Sequence, residues 1–276
     1  MKIDLHCHSH FSDGSASFEQ IILLLTKENI KHFSITDHDY YGGELNAFFL
    51  PQNLTYYKGI EISAKDYKTN KKVHLLGYGF DHQHKRLKEY TDHYYNIRKE
   101  NSKNIINSLI KEGYKIQMED FNYRLENNLP IYKQHIMVKL VEKGYTERIY
   151  GQLYHDFRAN GFFEDLKYID YKEAISLLKD IKAITFLAHP AIYNNWDILP
   201  GLVKAGLDGI EAYHKRHNQE DIKLSLEYAD KYCLLVSGGS DYHGNYSSLP
   251  GHLGVDVPDN YVKNFIKAIK QNDITK

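Results

Sequence analysis

The sequence predicts an α/β fold whose strands and helices alternate and whose strand ends share one functional rim. Three observations carry that expectation. About seven apolar, strand-like runs alternate with helix-like segments along the chain. Nearly every such run ends in an Asp, Glu or His, or carries one near its end. One polar, helix-like stretch, 82–165, interrupts the alternation.

In the opening run, Ile3 and Leu5 alternate with Asp4 and His6, the period-two pattern of a strand. The same alternation turns His6 and His8 to one face and Cys7 to the other. Two imidazoles at a strand end make half of a divalent-metal site. The loop that follows has a turn signal at Asp13-Gly14. Phe18, Ile21, Ile22 and Leu25 are spaced for a helix over 17–29, with Ser17 as its cap. His32 to Thr36 reads as a strand running into Asp37-His38-Asp39, Leu54 to Ile60 as one ending at Glu61, and Lys72 to Leu76 as one carrying His74. Residues 84–112 read as a single long helix, and further helical segments follow to about residue 160. The expected organisation is therefore one barrel-forming domain, 1–81 and 166–276, with a helical insertion at 82–165. After a helix at 171–180 come the strands Ala183 to Ala188, ending at His189, and Leu207 to Ala212, with Glu211 and His214 near its end. A helix at 218–231, the strand Cys233 to Val236, the segment Gly239 to His243 and a helix at 260–270 complete the chain.

In a parallel barrel the C-terminal strand ends share the rim that hosts the site. His6, His8, Asp13, His38, Glu61, His74, His189, Asp241 and His243 are then expected to converge. That set exceeds the needs of one ion, and two or three would use it fully.

Bulk composition narrows the partners. The 35 basic and 36 acidic residues leave a formal charge of -1, without the basic excess that long duplex nucleic acid demands. Cys7 and Cys233 are the only cysteines, too few for a disulfide framework, which points to a reducing, cytoplasmic compartment. The N-terminus reads as a strand rather than a leader, and no apolar run approaches the ~18 residues of a membrane span, so no membrane partner is expected. His32, His82, His84, His93, His155, His217 and His252 read as surface or structural. Oligomeric state is not set by the sequence.

The motifs Asp4-Leu5-His6-Cys7-His8 with Ser12-Asp13-Gly14, Ile35-Thr36-Asp37-His38, Ala188-His189-Pro190 and Gly239-Ser240-Asp241-Tyr242-His243 occur in that order. Gly59-Ile60-Glu61-Ile62-Ser63 and Val73-His74-Leu75 lie between them. Together they resemble the polymerase and histidinol phosphatase (PHP) superfamily, in its stand-alone bacterial branch with a helical insertion. The resemblance implies a distorted (β/α)7 barrel and a trinuclear centre. It assigns His6, His8, Glu61 and Asp241 to one ion, Glu61, His74 and His189 to a second, and Asp13, His38 and His243 to a third. Relatives of this branch commonly carry Thr-Arg-Pro-His in the insertion, where this chain has Tyr132-Lys133-Gln134-His135. Lys133 is a point charge and cannot make the bidentate fork of an arginine. Lys133, His135 and His214 are the expected substrate contacts, and Asp4 and Asp37 the expected supports of ligands.

Imidazoles with carboxylates suit Mn, Fe or Zn. Ions ~3.5–4 Å apart can hold a bridging hydroxide against a phosphoryl oxygen. The expected chemistry is hydrolysis of nucleotide or short oligonucleotide phosphate esters by that metal-bridging hydroxide, with no side-chain nucleophile. Histidinol-phosphate phosphatase activity is the alternative within the family, and a non-catalytic metal-bound module is the alternative of another class.

Overall fold

The structure, a computed structural model, describes residues 1–41, 50–247 and 251–272. It is an α/β fold of two sheets flanked by helices. β1 (Lys2–Cys7) lies between β2 (His32–Ile35), which is parallel to it, and β10 (Val255–Asp256), which is antiparallel. β3 (Thr55–Tyr56) extends that sheet beside β2. The second sheet runs in the order β6 (Ile169–Asp170), β4 (Gly59–Asp66), β5 (Lys71–Tyr78), β7 (Ile184–Leu187), β8 (Gly209–His214) and β9 (Leu235–Gly239). Isolated bridges between His38 and Glu61, and between Cys7 and Tyr242, connect the two sheets. Among the described residues, continuous strand pairing forms these two sheets and not one closed ring.

Two local features depart from the sequence expectation. The segment from Leu54 to Glu61 is not one strand. β3 pairs with β2, the chain crosses at Tyr57-Lys58, and β4 joins the other sheet, so Glu61 sits near the start of its strand. β5 is antiparallel to both β4 and β7. A tight turn at 67–70 forces this: Asp66 accepts from the backbone N–H groups of Lys68 and Thr69, and Asn70 takes the left-handed φ of 62°. His74 therefore faces the site from mid-strand, opposite Ser63 of β4, and not from a strand's C-terminal end.

Helix placement follows the apolar spacing closely. α1 (Phe18–Lys27) buries Ile21, Ile22 and Leu25, and Ser17 and Gln20 close a reciprocal capping box at its start. α2 (Lys85–Lys111) is one helix of 27 residues, about 40 Å long. Its first half sends Leu87, Tyr90 and Tyr94 into the core of the larger sheet, with Ile60, Leu75 and Leu178. Its second half sends Ile105, Ile106 and Leu109 into a separate core with Phe121, Ile136, Leu140, Phe157 and Phe163. α3 (Asn122–Glu126), α4 (Lys133–Glu142) and α5 (Gln152–Ala159) build the rest of this second core, and no strand lies between β5 and β6 among the described residues. α6 (Tyr171–Asp180), α7 (Leu199–Ala205), α8 (Gln219–Lys231) and α9 (Asp259–Asn272) return to the sheets. α7 has no counterpart in the sequence reading, because only Leu199 and Leu202 of its short span are buried. No helix among the described residues is long and apolar enough to cross a membrane.

Candidate metal centre

β1 delivers His6 and His8 to the interior, both fully buried, while Cys7 turns into the core around α1. β9 passes so close that a Cβ on Gly239 would lie 2.3 Å from that of His6. Gly14 is equally confined, 2.5 Å from the His8 carbonyl, and lets the loop bring Asp13 back over β1. His189, Asp241 and Asp39 adopt left-handed φ values of 28°, 53° and 51° just after strands, a strain typical of residues held for function.

Glu61 is the hub. His6 Nε2 and His8 Nε2 lie 3.1 Å from its Oε2, and His38 Nδ1 3.2 Å. His74 Nδ1 lies 2.8 Å and His189 Nε2 3.1 Å from its Oε1. Asp241 Oδ1 is 3.1 Å from His8 Nε2. Asp13 Oδ1 is 3.3 Å from His243 Nε2 and 3.7 Å from His8 Nδ1. Three groups have donor atoms all within 4.8 Å of one another: His6, His8, Glu61 and Asp241; His8, Asp13, His38 and His243; and His38, Glu61 and His74. The first matches the set inferred from the motifs. In the other two, His8 joins the Asp13 group and His38 is shared, while His189 reaches the cluster through Glu61.

The donor set fits divalent metal. His6 Nε2 and His8 Nε2 face each other at 3.2 Å, an arrangement natural to ligands converging on one point. His8 Nδ1 is buried without a hydrogen-bond partner, and His38 Nδ1, 3.2 Å from Glu61, is not aligned for one. Burial would raise the Glu61 carboxyl, but His38, His6 and His74 hold it well below the ordinary carboxylate range. Burial opposes charge on His8, yet Asp241 and Glu61 raise it to about 10. Burial keeps His38 down at about 4 against the pull of Glu61 and Asp13. Protons thus balance the carboxylates, and a bound cation would take over that role.

A shell of buried hydrogen bonds fixes these side chains. Asp4 accepts from the N–H and hydroxyl of Ser240 and from the N–H of Gly254, which secures the turn carrying Asp241. Asp37 accepts from the N–H and hydroxyl of Ser9 and from the Ser12 hydroxyl, securing the loop carrying Asp13. Glu211 lies 3.1 Å from His6 Nδ1 and accepts from the His189 N–H. Arg124 of α3 donates to the carbonyls of His10, Ser12 and Pro130, and Gln134 donates to Asp13 Oδ2. Arg124 has no local motif to reveal it, and Gln134 lies in the segment Tyr132 to His135 but was given no role there.

A cavity of about 540 Å³ opens on Asp13, His38 and His74, with Lys72, Lys133 and Arg158 elsewhere in its lining. Lys133 lines it as expected. His155, read as surface or structural, lines it too. His135 and His214 do not. The Tyr132 N–H donates to His135 Nδ1, closing the first turn of α4, and His214 sits behind the cluster, its Nε2 3.6 Å from Asp241 Oδ2. Their expected role as direct substrate contacts finds no geometric support.

Residues 4–189 match the model of the PHP domain. A phosphoribosyl 1,2-cyclic phosphate 1,2-diphosphodiesterase of Eggerthella lenta is 34% identical, over 92% of this chain and 98% of that protein. A 3',5'-nucleoside bisphosphate phosphatase of Chromobacterium violaceum is 25% identical over 92% and 90% of the respective chains. The fold is shared with a chain from Bifidobacterium adolescentis, provisionally named a metal-dependent phosphoesterase, at a TM-score of 0.83 and 24% identity, over 96% of this chain and 95% of that one. The chain belongs to the PHP family. It is a metal-dependent phosphoesterase whose described residues include His, Asp and Glu clusters able to hold metal ions.

Proposed function

We propose that this enzyme hydrolyses the phosphate ester of a small substrate, a nucleotide or short oligonucleotide, at a centre of two or three Mn, Fe or Zn ions. The ligands are His6, His8, Asp13, His38, Glu61, His74, His189, Asp241 and His243. When bound, the ions supply a hydroxide at neutral pH and a clamp on the phosphoryl oxygens, so no side-chain nucleophile is needed. The observation that carries the reading is the juxtaposition of the Glu61 hub with a cavity whose lining is also cationic and aromatic. Tyr132, Tyr150 and Tyr193 in that lining offer ring faces for a base, and the lysines and arginines offer charge for phosphate.

Residues 1–81 and 166–276 form the metal-bearing domain in this reading, with the two sheets acting as one distorted seven-stranded barrel and 82–165 as its cap. The cap limits access to small substrates, and the neutral overall charge disfavours long duplex. The names of the relatives support small phosphate esters, and the two cysteines fit a cytoplasmic setting.

The test is a substrate panel on Mn-loaded protein: a cyclic phosphate, nucleoside bisphosphates, short RNAs and histidinol phosphate. Turnover of the nucleotides or RNAs is expected. Turnover of histidinol phosphate alone would reverse the reading.

A further inference from the structure

The cap meets the metal centre at one buried carboxylate that the hydrolytic scheme does not use. Asp39 follows the ligand His38 and adopts the left-handed φ of 51°, which a non-glycine residue keeps only where its surroundings impose it. Its N–H donates to the Glu61 carbonyl at 2.9 Å, and its Oδ1 accepts from the Ser63 N–H at 2.7 Å, so the chain around His38 is pinned to β4 at Glu61 and Ser63. The other donors to this carboxylate come from α2: the Tyr90 hydroxyl and the Arg98 guanidinium. The Asp39 side chain is fully buried, that of Arg98 is nine-tenths buried, and Arg98 is the one ion-pair partner of Asp39 among the described residues. A carboxylate taken out of water needs such a counter-charge. A second route leads from the same guanidinium to the same ligand. Arg98 lies over the Tyr132 ring, 4.4 Å from its centroid, and the Tyr132 hydroxyl donates to the His38 carbonyl at 2.9 Å.

We propose that Arg98 is a positioning residue: from the cap, through Asp39 and Tyr132, it holds His38 where it can ligate. The part of the metal centre that uses His38 is then complete only when α2 is docked. His38 belongs to two of the three ligand groups, one with His8, Asp13 and His243 and one with Glu61 and His74, but not to the group of His6, His8, Glu61 and Asp241. Only a planar guanidinium can pair with a carboxylate at its edge and stack on an aromatic ring with its face. Without it, Asp39 is buried with no counter-charge, the strained turn loses its anchor, and His38 drifts from Glu61. The inference rests on the metal reading of the site and gives the cap a part in building that site, beyond limiting access to it.

The experiment follows Mn binding to chelator-treated protein by calorimetry, with the melting temperature and the hydrolysis of p-nitrophenyl phosphate measured alongside. Arg98→Met is expected to weaken part of the Mn binding by about 10- to 100-fold and to leave the rest within about threefold. The kcat lost at limiting Mn should return at excess Mn. Arg98→Lys keeps the charge without the planar stack and is expected to lose less. Arg98→Met added to Asp39→Asn is expected to cost little more than Asp39→Asn alone, because the two side chains act as one pair. Should Arg98→Met not fold, Arg98→Lys and Tyr132→Phe, which keeps the ring and removes the hydroxyl, read the same binding steps. Unchanged Mn binding with a lower melting temperature would make Arg98 a mere brace of the cap, and unchanged Mn binding with a higher KM would make it a direct substrate contact. Either result overturns the proposal, as do equal weakening of every ion and fully multiplicative losses in the double variant. An unaltered protein that binds no Mn would instead overturn the metal reading of the site, and this inference with it.

Discussion

The two walls of the cavity are built on opposite principles. The sheet wall gathers short side chains from six separate stretches of chain, and its hub, Glu61, is fully buried among five imidazoles. The helical wall offers long, half-exposed side chains, Lys133 from α4 and Arg158 from α5, which meet at Asp165 together with Lys72 from β5 of the sheet. Buried charge tolerates few substitutes, because each ionised group must meet an opposite charge or a hydrogen bond. Half-exposed charge is screened by water and can be exchanged at small cost. The sheet wall fixes the chemistry, and the helical wall is free to set which molecule receives it.

The sharpest way to break this contrast is at the hub. Glu61→Gln is expected to strip metal and lower hydrolysis of any ester by more than about 100-fold, beyond the loss typical of residues that only orient ligands. Metal analysis beside a p-nitrophenyl phosphate assay checks this, and retained metal with near-normal turnover would put the hub elsewhere.

One layer out, Asp37→Asn keeps shape but weakens the grip on Ser9 and Ser12. Metal affinity should fall by about 10- to 100-fold, with kcat recovering at saturating metal. Titration of activity against Mn reads this directly. A loss that excess metal does not repair would mean that Asp37 acts on substrate.

The smallest effect belongs to the helical wall. Lys133 sits at about 8, so raising the pH from 7 to 9 removes its positive charge. Its folded value lies below that of a free lysine, so the charged form is the one being lost across this window. KM for a nucleoside bisphosphate should therefore rise relative to that for p-nitrophenyl phosphate, by about two- to fivefold. Lys133→Arg stays charged at every such pH and should flatten the relative profile. Identical profiles in both proteins would take Lys133 out of anion binding.

The same contrast explains what could be read from the chain. His6 and His8 were legible because strand alternation fixes their face, and Asp13, Glu61 and Asp241 because they fall at strand ends or in ordered motifs shared with the family. Their directions were less legible. Glu61 near a strand start and His74 in mid-strand depend on the hairpin turn at 67–70, a tertiary choice that apolar spacing does not encode. Arg124 reaches the site from a short helix with no motif of its own, so only the folded chain reveals it, and the contact of Gln134 with Asp13 likewise needed the fold although its segment was singled out. His135 shows the reverse case. A histidine beside a cavity-lining lysine turned inward to close its own helix.

α2 gives the architecture a phase requirement. One continuous helix is anchored in the sheet core by Leu87, Tyr90 and Tyr94, and carries the second core on Ile105, Ile106 and Leu109. Each residue advances an α-helix by about 100°. Adding or deleting a single residue between Tyr94 and Ile105 would swing that core a quarter turn or more around the helix and carry Lys133 and Arg158 out of the cavity they share with Asp13, His38 and His74. A change of length in the loop after α4 alters no such angle. Evolution can therefore lengthen the cap freely at its tip, while the stalk admits new residues only in whole turns.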